Sequence, residues 1–339
     1  MPETRSVLIT GGAGFIGSHL AEACLAEGRR VTVLDDLSTG SLRNIKHLID
    51  SPGFRFELGS VMDPSLTDEM VRASDEVVHL AAAVGVELVF SKPTETIERN
   101  VSGTEHVLRA ALRYGRKVFV ASTSEVYGRD PAGDGTSFNE TDEVTLGPSM
   151  RWCYACSKAL DEYLARAYHY DKGLPVVIGR LFNTVGPRQS GAYGMVIPRF
   201  VEWALAGKPI QVYGDGGQVR TFTHVVDAVR AITGLMGEPG AEGEVVNIGS
   251  EETVSILDLA RLVKDMTGST SEIVHVPYEE IFGDGFEDIR NRVPDVTKIR
   301  SLTGFRAEHG LREILADTID YARSAASRPS GRTGPAANG

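Results

Sequence analysis

The chain has 339 residues, 42% of them hydrophobic, and a formal net charge of −11. That length suffices for one large domain or two lobes around a substantial core, and an acidic balance without any basic run excludes a surface built to track nucleic-acid phosphates. No apolar stretch reaches the roughly 18 residues of a membrane span, and the three cysteines, Cys24, Cys153 and Cys156, cannot build a disulfide framework. A first strand entered near Val7 leaves no room for a signal peptide, so the expected compartment is the cytoplasm. The histidines show no metal-ligand spacing and no metal site is expected. Cys153 and Cys156 form a C-x-x-C inside a helical segment rather than after a redox strand, which argues against a redox or metal role.

In chain order, Val7-Leu8-Ile9-Thr10 is an apolar run followed by glycines at 11, 14 and 17 and then a helical pattern. This reads as strand, tight turn and helix N-terminus. Glycines permit the turn and a close backbone approach, and the free N–H groups at the helix start suit a pyrophosphate. A second strand, Arg30–Leu34, ends at Asp35, eighteen positions after Gly17. A carboxylate there accepts hydrogen bonds from an adenosine ribose and repels a 2′-phosphate, so NAD is favoured over NADP. Strand-like runs recur at Phe54–Leu58, Glu76–Leu80, Lys117–Ser122 and Pro175–Arg180, with helical spacing over Ser18–Glu27, Thr94–Tyr114 and Ala155–Tyr170.

The alternation predicts an α/β fold, a Rossmann-like doubly wound parallel sheet in which ligands bind beyond the carboxyl ends of the strands. Gly11, Asp35, Leu80-Ala81-Ala82 and Ser122-Thr123-Ser124 fall at such ends. Residues 1–180 are expected to form the NAD-binding domain and 181–323 mainly a smaller mixed α/β substrate lobe. Segments 211–232 and 245–250 are candidates to rejoin the main sheet. The loop around Gly283–Gly285 belongs to the lobe, and Ser324–Gly339, small, polar and rich in Pro and Gly, suits a disordered tail.

Tyr154 and Lys158 lie four apart in a helical segment, about one turn apart on a shared face. An ammonium beside a phenol favours its charged form and makes it a usable base. Tyr-x-x-x-Lys alone is common on helix surfaces; downstream of a dinucleotide turn it reads as hydride chemistry.

Thr10-Gly11-Gly12-Ala13-Gly14-Phe15-Ile16-Gly17, His79-Leu80-Ala81-Ala82, Ser122-Thr123-Ser124-Glu125-Val126-Tyr127-Gly128, Tyr154-x-x-x-Lys158 and Arg180-Leu181-Phe182-Asn183 occur in this order. Over nearly its whole length the chain thus resembles extended short-chain dehydrogenases/reductases, in the branch of nucleotide-sugar epimerases and dehydratases. The resemblance implies that Thr123 bonds the sugar 4-hydroxyl, that Tyr154 is the base and that Lys158 also holds the nicotinamide ribose, with Ser124 and Glu125 beside them. It implies a cofactor site of Gly11, Gly14, Phe15, Ile16, Gly17, Asp35, Asp36, Ser60, Val61, Leu80, Ala81, Ala82 and Asn100, and a UDP-sugar site of Asn183, Arg188, Val196, Tyr213, Arg220, Arg292 and Asp295. Where the family often has Asp to meet the adenine, this chain has Gly59-Ser60-Val61, in which Ser60 can still hydrogen-bond. The helices Thr94–Tyr114 and Ala155–Tyr170 are expected in the four-helix bundle of a homodimer.

The triplet Thr123-Ser124-Glu125 lacks the Asp-Glu of similar 4,6-dehydratases and looks like that of enzymes acting on UDP-glucuronic acid, decarboxylases included. Arg188 is the candidate for the uronate carboxylate. Gly191-Ala192-Tyr193-Gly194-Met195-Val196-Ile197-Pro198-Arg199-Phe200 looks more like epimerases. The expected activity is therefore that of an isomerase, a UDP-sugar 4-epimerase working through a 4-keto intermediate, with UDP-glucuronate and UDP-galacturonate as the leading pair. UDP-glucose 4-epimerisation comes second and UDP-glucuronate decarboxylation third. A non-catalytic NAD-sensing regulator is the rival, and the trio Thr123, Tyr154 and Lys158 argues against it, since a sensor needs no base.

Overall fold

A strand that is apolar at successive rather than alternate positions belongs inside a sheet covered on both faces, and β1 (Ser6–Thr10) is buried at every position. The computed structural model describes residues 5–84, 92–129, 137–191, 195–282 and 289–326. Six strands join β1 in one sheet: β2 (Arg30–Asp35), β3 (Phe54–Leu58), β4 (Glu76–His79), β5 (Lys117–Thr123), β6 (Val176–Leu181) and β7 (Val245–Ile248). Their order is β7-β6-β5-β4-β1-β2-β3, and every neighbouring pair is parallel. This is the expected Rossmann-like architecture. Its winding reverses between β1 and β4, where such sheets open a crevice beyond the strand ends.

The helices used below are α1 (Phe15–Ala26), α2 (Pro64–Arg72), α3 (Pro93–Tyr114), α4 (Cys153–Lys172), α5 (Val196–Leu205), α6 (Val225–Gly237), α7 (Ile256–Thr267), α8 (Thr297–Thr303) and α9 (Leu311–Ala326). Successive strand residues point to opposite faces, and the core divides accordingly. Val7, Ile9, Val33, Phe119 and Val177 pack with Leu20 of α1, Ile232 of α6 and Ile299 of α8. Leu8, Val118, Val120 and Ile178 pack with Met70 of α2, Leu108 of α3 and Ala165 of α4. On α4 the side chains of Leu160 and Tyr163 are left exposed.

A second core joins Ile197 and Phe200 of α5, Ile210, Val212, Phe222, Leu259 of α7 and Leu315 of α9. Of the two segments expected as candidates for the main sheet, Val245–Ile248 lies beside β6 as β7. The strand Ile210–Tyr213 does not join it: it pairs with Ile273–Val276, because Ile210 and Val212 are committed to the second core. The later part of that segment returns as a helix, α6, packed on α1. Helix α9 runs through Ser324 to Ala326, past the expected start of a tail, and residues 327–339 lie outside the described residues. So do residues 1–4, the loop around Gly283–Gly285 and Ala192-Tyr193-Gly194. Among the described residues no helix is long and apolar enough to cross a membrane, and no cluster of His, Cys, Asp and Glu could hold a metal.

Candidate active site

The turn after β1 is shaped by backbone contacts that only glycine permits. Gly11 has φ +70°, and a Cβ there would lie 2.8 Å from the backbone N of Ala81. At Gly17 a Cβ would sit 2.4 Å from the carbonyl oxygen of Gly11. Both obstacles are backbone and cannot rotate away. Gly14 caps α1 without any side-chain hydrogen bond, which leaves that helix end to a ligand. For Gly17→Ala we expect an overpacking loss of about 1–3 kcal/mol together with weakened dinucleotide binding; thermal unfolding and a cofactor titration check both.

Asp35 closes β2 with its carboxylate fixed by the backbone: Oδ2 accepts from Ala13 N at 2.9 Å and Oδ1 from Leu37 N at 2.8 Å. Burial pushes its carboxyl up, against the pull of those two bonds. Asp36 is held below the usual carboxylate range: burial raises it, but hydrogen bonds from Ser38 and the charge of Arg99 prevail. A cavity of about 1150 Å³ runs from this corner, past the glycine turn and the ends of β4 and β5, into the second lobe. It exceeds the roughly 300–1,000 Å³ of single-ligand sites, so two ligands can lie end to end. Gly11, Gly14, Phe15, Ile16, Gly17, Asp35, Asp36, Ser60, Val61, Leu80, Ala81 and Ala82 all line it.

Asn100 requires a correction, because it does not line the cavity. Its Oδ1 accepts from Ala83 N at 2.8 Å and its Nδ2 donates to Ser157 Oγ at 3.0 Å, so it braces the wall behind the groove. His79 acts similarly, with Nδ1 2.7 Å from Thr10 Oγ1 and Nε2 3.1 Å from Thr104 Oγ1. Burial, with the nearby charge of Lys158, lowers its pKa to about 3, so the ring is neutral.

Thr123, Ser124, Glu125, Tyr154 and Lys158 meet in the middle of the cavity. Burial, then the charges of Glu125 and Asp161, push the Tyr154 phenol well above its ordinary range, so without ligands it carries its proton. The Thr123 hydroxyl lowers the pKa of that phenol, an effect smaller than the opposing ones. Lys158 departs from the sequence expectation: its ammonium donates to Asp161 Oδ2 at 2.8 Å, in a pair whose side chains are 4% and 0% exposed. Glu125 is held between two arginines. Arg151 lies 2.8 Å from its Oε2, and Arg292 donates to its Oε1. Burial alone would raise this carboxyl; the charges of Arg292 and Arg151 outweigh burial and lower it to about 2.

The outer end is lined by Asn183, Arg188, Val196, Tyr213, Arg220 and Arg292. Asn183 sits at φ +28° and accepts from Arg292 at 2.9 Å, orienting the guanidinium. Two expectations are corrected here. Asp295 is not among the lining residues; its carboxylate accepts from Thr297 N at 2.8 Å and from Asn139 at 3.1 Å at the start of α8. Arg188 lines the cavity, but its guanidinium is turned to α1, donating to Ser18 Oγ at 3.2 Å and pairing with Glu22. It is therefore spoken for on the dinucleotide side and is not positioned as the grip for a uronate.

Sequence reasoning missed Arg151, Arg99 and Asp161. Each has a local signal, since Arg151 lies three before Tyr154, Arg99 adjoins Asn100 and Asp161 lies three after Lys158, but spacing cannot tell which faces inward.

The Cβ-free cradle at Gly11 and Gly17, the uncapped N-terminus of α1 and the Asp35 carboxylate fit NAD. Comparison with known proteins agrees. The model of the "NAD dependent epimerase/dehydratase family" matches residues 7–249. The chain is 44% identical over 324 residues to the UDP-N-acetyl-alpha-D-glucosaminuronate decarboxylase of Bacillus cytotoxicus, covering 94% of this chain and 98% of that one. It is 35% identical to the UDP-glucuronic acid decarboxylase 1 of Xenopus tropicalis over 95% of this chain and 73% of the relative.

Among solved structures, UDP-glucose 4-epimerase from Thermotoga maritima superposes with a TM-score of 0.85 at 30% identity, covering 95% and 100% of the two chains. The UDP-glucuronic acid 4-epimerase of Bacillus cereus, solved with NAD, has a TM-score of 0.85 at 27% identity over 94% and 99%. The relatives overturn the isomerase expectation, since both are decarboxylases and they are more similar in sequence than the Bacillus cereus epimerase. With NAD as its cofactor, the chain belongs to the NAD dependent epimerase/dehydratase family of nucleotide-sugar enzymes.

Proposed function

We propose that the protein is an NAD-dependent decarboxylase of a UDP-uronic acid. The observation that carries this reading is the half-buried Glu125 clasped by Arg151 and Arg292 in the same cavity as Thr123 and Tyr154, in a chain whose relatives bear decarboxylase names. Bound NAD supplies reversible hydride acceptance at the sugar C4. Tyr154 takes the proton of the 4-hydroxyl, which Thr123 orients. The resulting 4-ketone stands β to the C6 carboxylate, so the C5–C6 bond can break with its electron pair delocalised into the ketone and carbon dioxide leaving.

Arg292 meets the incoming carboxylate, and Glu125, losing part of its guanidinium clamp, gains proton affinity, takes up a proton from solvent and passes it to C5 as carbon dioxide leaves. Tyr154 then returns its proton to O4 as hydride comes back to C4. The sugar has exchanged a carboxylate for hydrogen with no net redox change.

The test is incubation of the purified protein with NAD and UDP-glucuronate, or UDP-N-acetylglucosaminuronate, labelled with carbon-13 at C6. We expect label in bicarbonate and a UDP-linked product one carbon shorter, followed by NMR. Retention of the label with inversion at C4 overturns the reading.

A further inference from the structure

Asp161 has no part in the chemistry above, yet it is a fully buried carboxylate about one turn along α4 from Lys158 and about two from Tyr154. It holds the Lys158 ammonium at 2.8 Å. Its other oxygen, Oδ1, is buried without a hydrogen-bond partner; nearby, Thr104 contacts His79 at 3.1 Å, whose other nitrogen meets Thr10 at 2.7 Å. Thr10 in turn accepts from Ala81 N on the cofactor wall. A polar chain thus runs from the cofactor wall through Thr10 and His79 to Thr104. A buried carboxylate so placed is costly unless its charge is used.

We propose that Asp161 is a positioning residue of this site, fixing the Lys158 ammonium at the cavity wall and thereby setting how much of its charge reaches the Tyr154 phenol. The proposal rests on the reading of Tyr154 as the base. The charged and titratable groups around that phenol are Glu125 with its partners Arg151 and Arg292, Lys158 and Asp161 on its own helix, and neutral His79 beside Lys158. Glu162, next to Asp161, is neutralised by Arg180 at 2.7 Å.

The Lys158 ammonium thus meets the phenol's helix face with its charge offset by Asp161. The Tyr154 proton is held firmly when the cavity is empty and released when the positive nicotinamide ring is present. Were that ring bound, it would supply positive charge beside the phenol, and with Asp161 offsetting Lys158 the Tyr154 proton would be released at a higher pH than without that carboxylate.

Asp161→Asn keeps the shape and removes the charge. In the NAD-bound protein, Tyr154 ionisation is followed by the near-ultraviolet tyrosinate band, with Tyr154→Phe as blank. The inflection is expected to move down by about one pH unit, with the acid limb of kcat following it and the substrate KM changed by less than about twofold. An unmoved or raised inflection, or a uniform loss of kcat at every pH, overturns the proposal. Asp161→Ser serves the same measurement if the Asn variant does not fold. If Tyr154→Phe itself retains turnover, it is the assignment of the base that falls; an unmoved inflection with Tyr154→Phe inactive sinks the role of Asp161 alone.

Discussion

Tyr154→Phe is expected to lower turnover by about 10³, within the range of lost general acid–base catalysis, while NAD and UDP-sugar affinities stay within about twofold. The substitution removes one oxygen and leaves the ring in place, so thermal stability is expected to hold. Burial and two carboxylates keep this phenol protonated in the empty site, so the wild-type rate is expected to rise with pH as the phenolate forms beneath the cationic ring. Steady-state rates across pH, set beside binding measurements on the Phe variant, check both parts. A variant that keeps its turnover removes Tyr154 from the reaction.

Glu125→Gln should have the second largest effect, and a divided one. Removing the carboxylate leaves the guanidinium groups of Arg151 and Arg292 largely buried and without their shared counter-charge, a change that costs about 3 kcal/mol in comparable broken pairs. Release of carbon dioxide is expected to fall by about 10²–10³, while the C4 oxidation, which uses Tyr154 and Thr123, persists. Reduced cofactor should then build up as an absorbance the wild type does not show in the steady state.

The sign of the acid dependence follows from the same residue. With its pKa lowered from the ordinary 4.5 to about 2, Glu125 contributes stability that is fully present above pH of about 4.5 and is lost as pH falls towards about 2. Unfolding of the Gln variant should lack that component. If carbon dioxide release is unchanged in Glu125→Gln, the assigned acid is wrong although the decarboxylase reading survives.

Arg188 and Arg292 show why a cation cannot be assigned to a ligand from sequence. Both stand in loop-like segments of an acidic chain, and both line the cavity. Arg188 is drawn to Ser18 and Glu22 of α1, while Arg292 reaches Glu125 across 167 positions of sequence. The difference lies in which carboxylate the fold brings within reach. Asp295 misses the nucleotide for the same kind of reason, being consumed in starting α8.

What the amino-acid order determined by itself is the sheet, the NAD cradle and the Tyr154–Lys158 face. Each of these rests on geometry closed within a few residues: alternation of β and α runs, glycines where a Cβ would strike backbone, and the four-residue turn of a helix. Tertiary structure alone decided that Glu125 lies between Arg151 and Arg292, that Asn100 braces rather than lines, and that Ile210–Tyr213 belongs to the second core. Those are pairings of buried charges and apolar faces, and a side chain's partner there is set by what packs opposite it rather than by its neighbours along the chain.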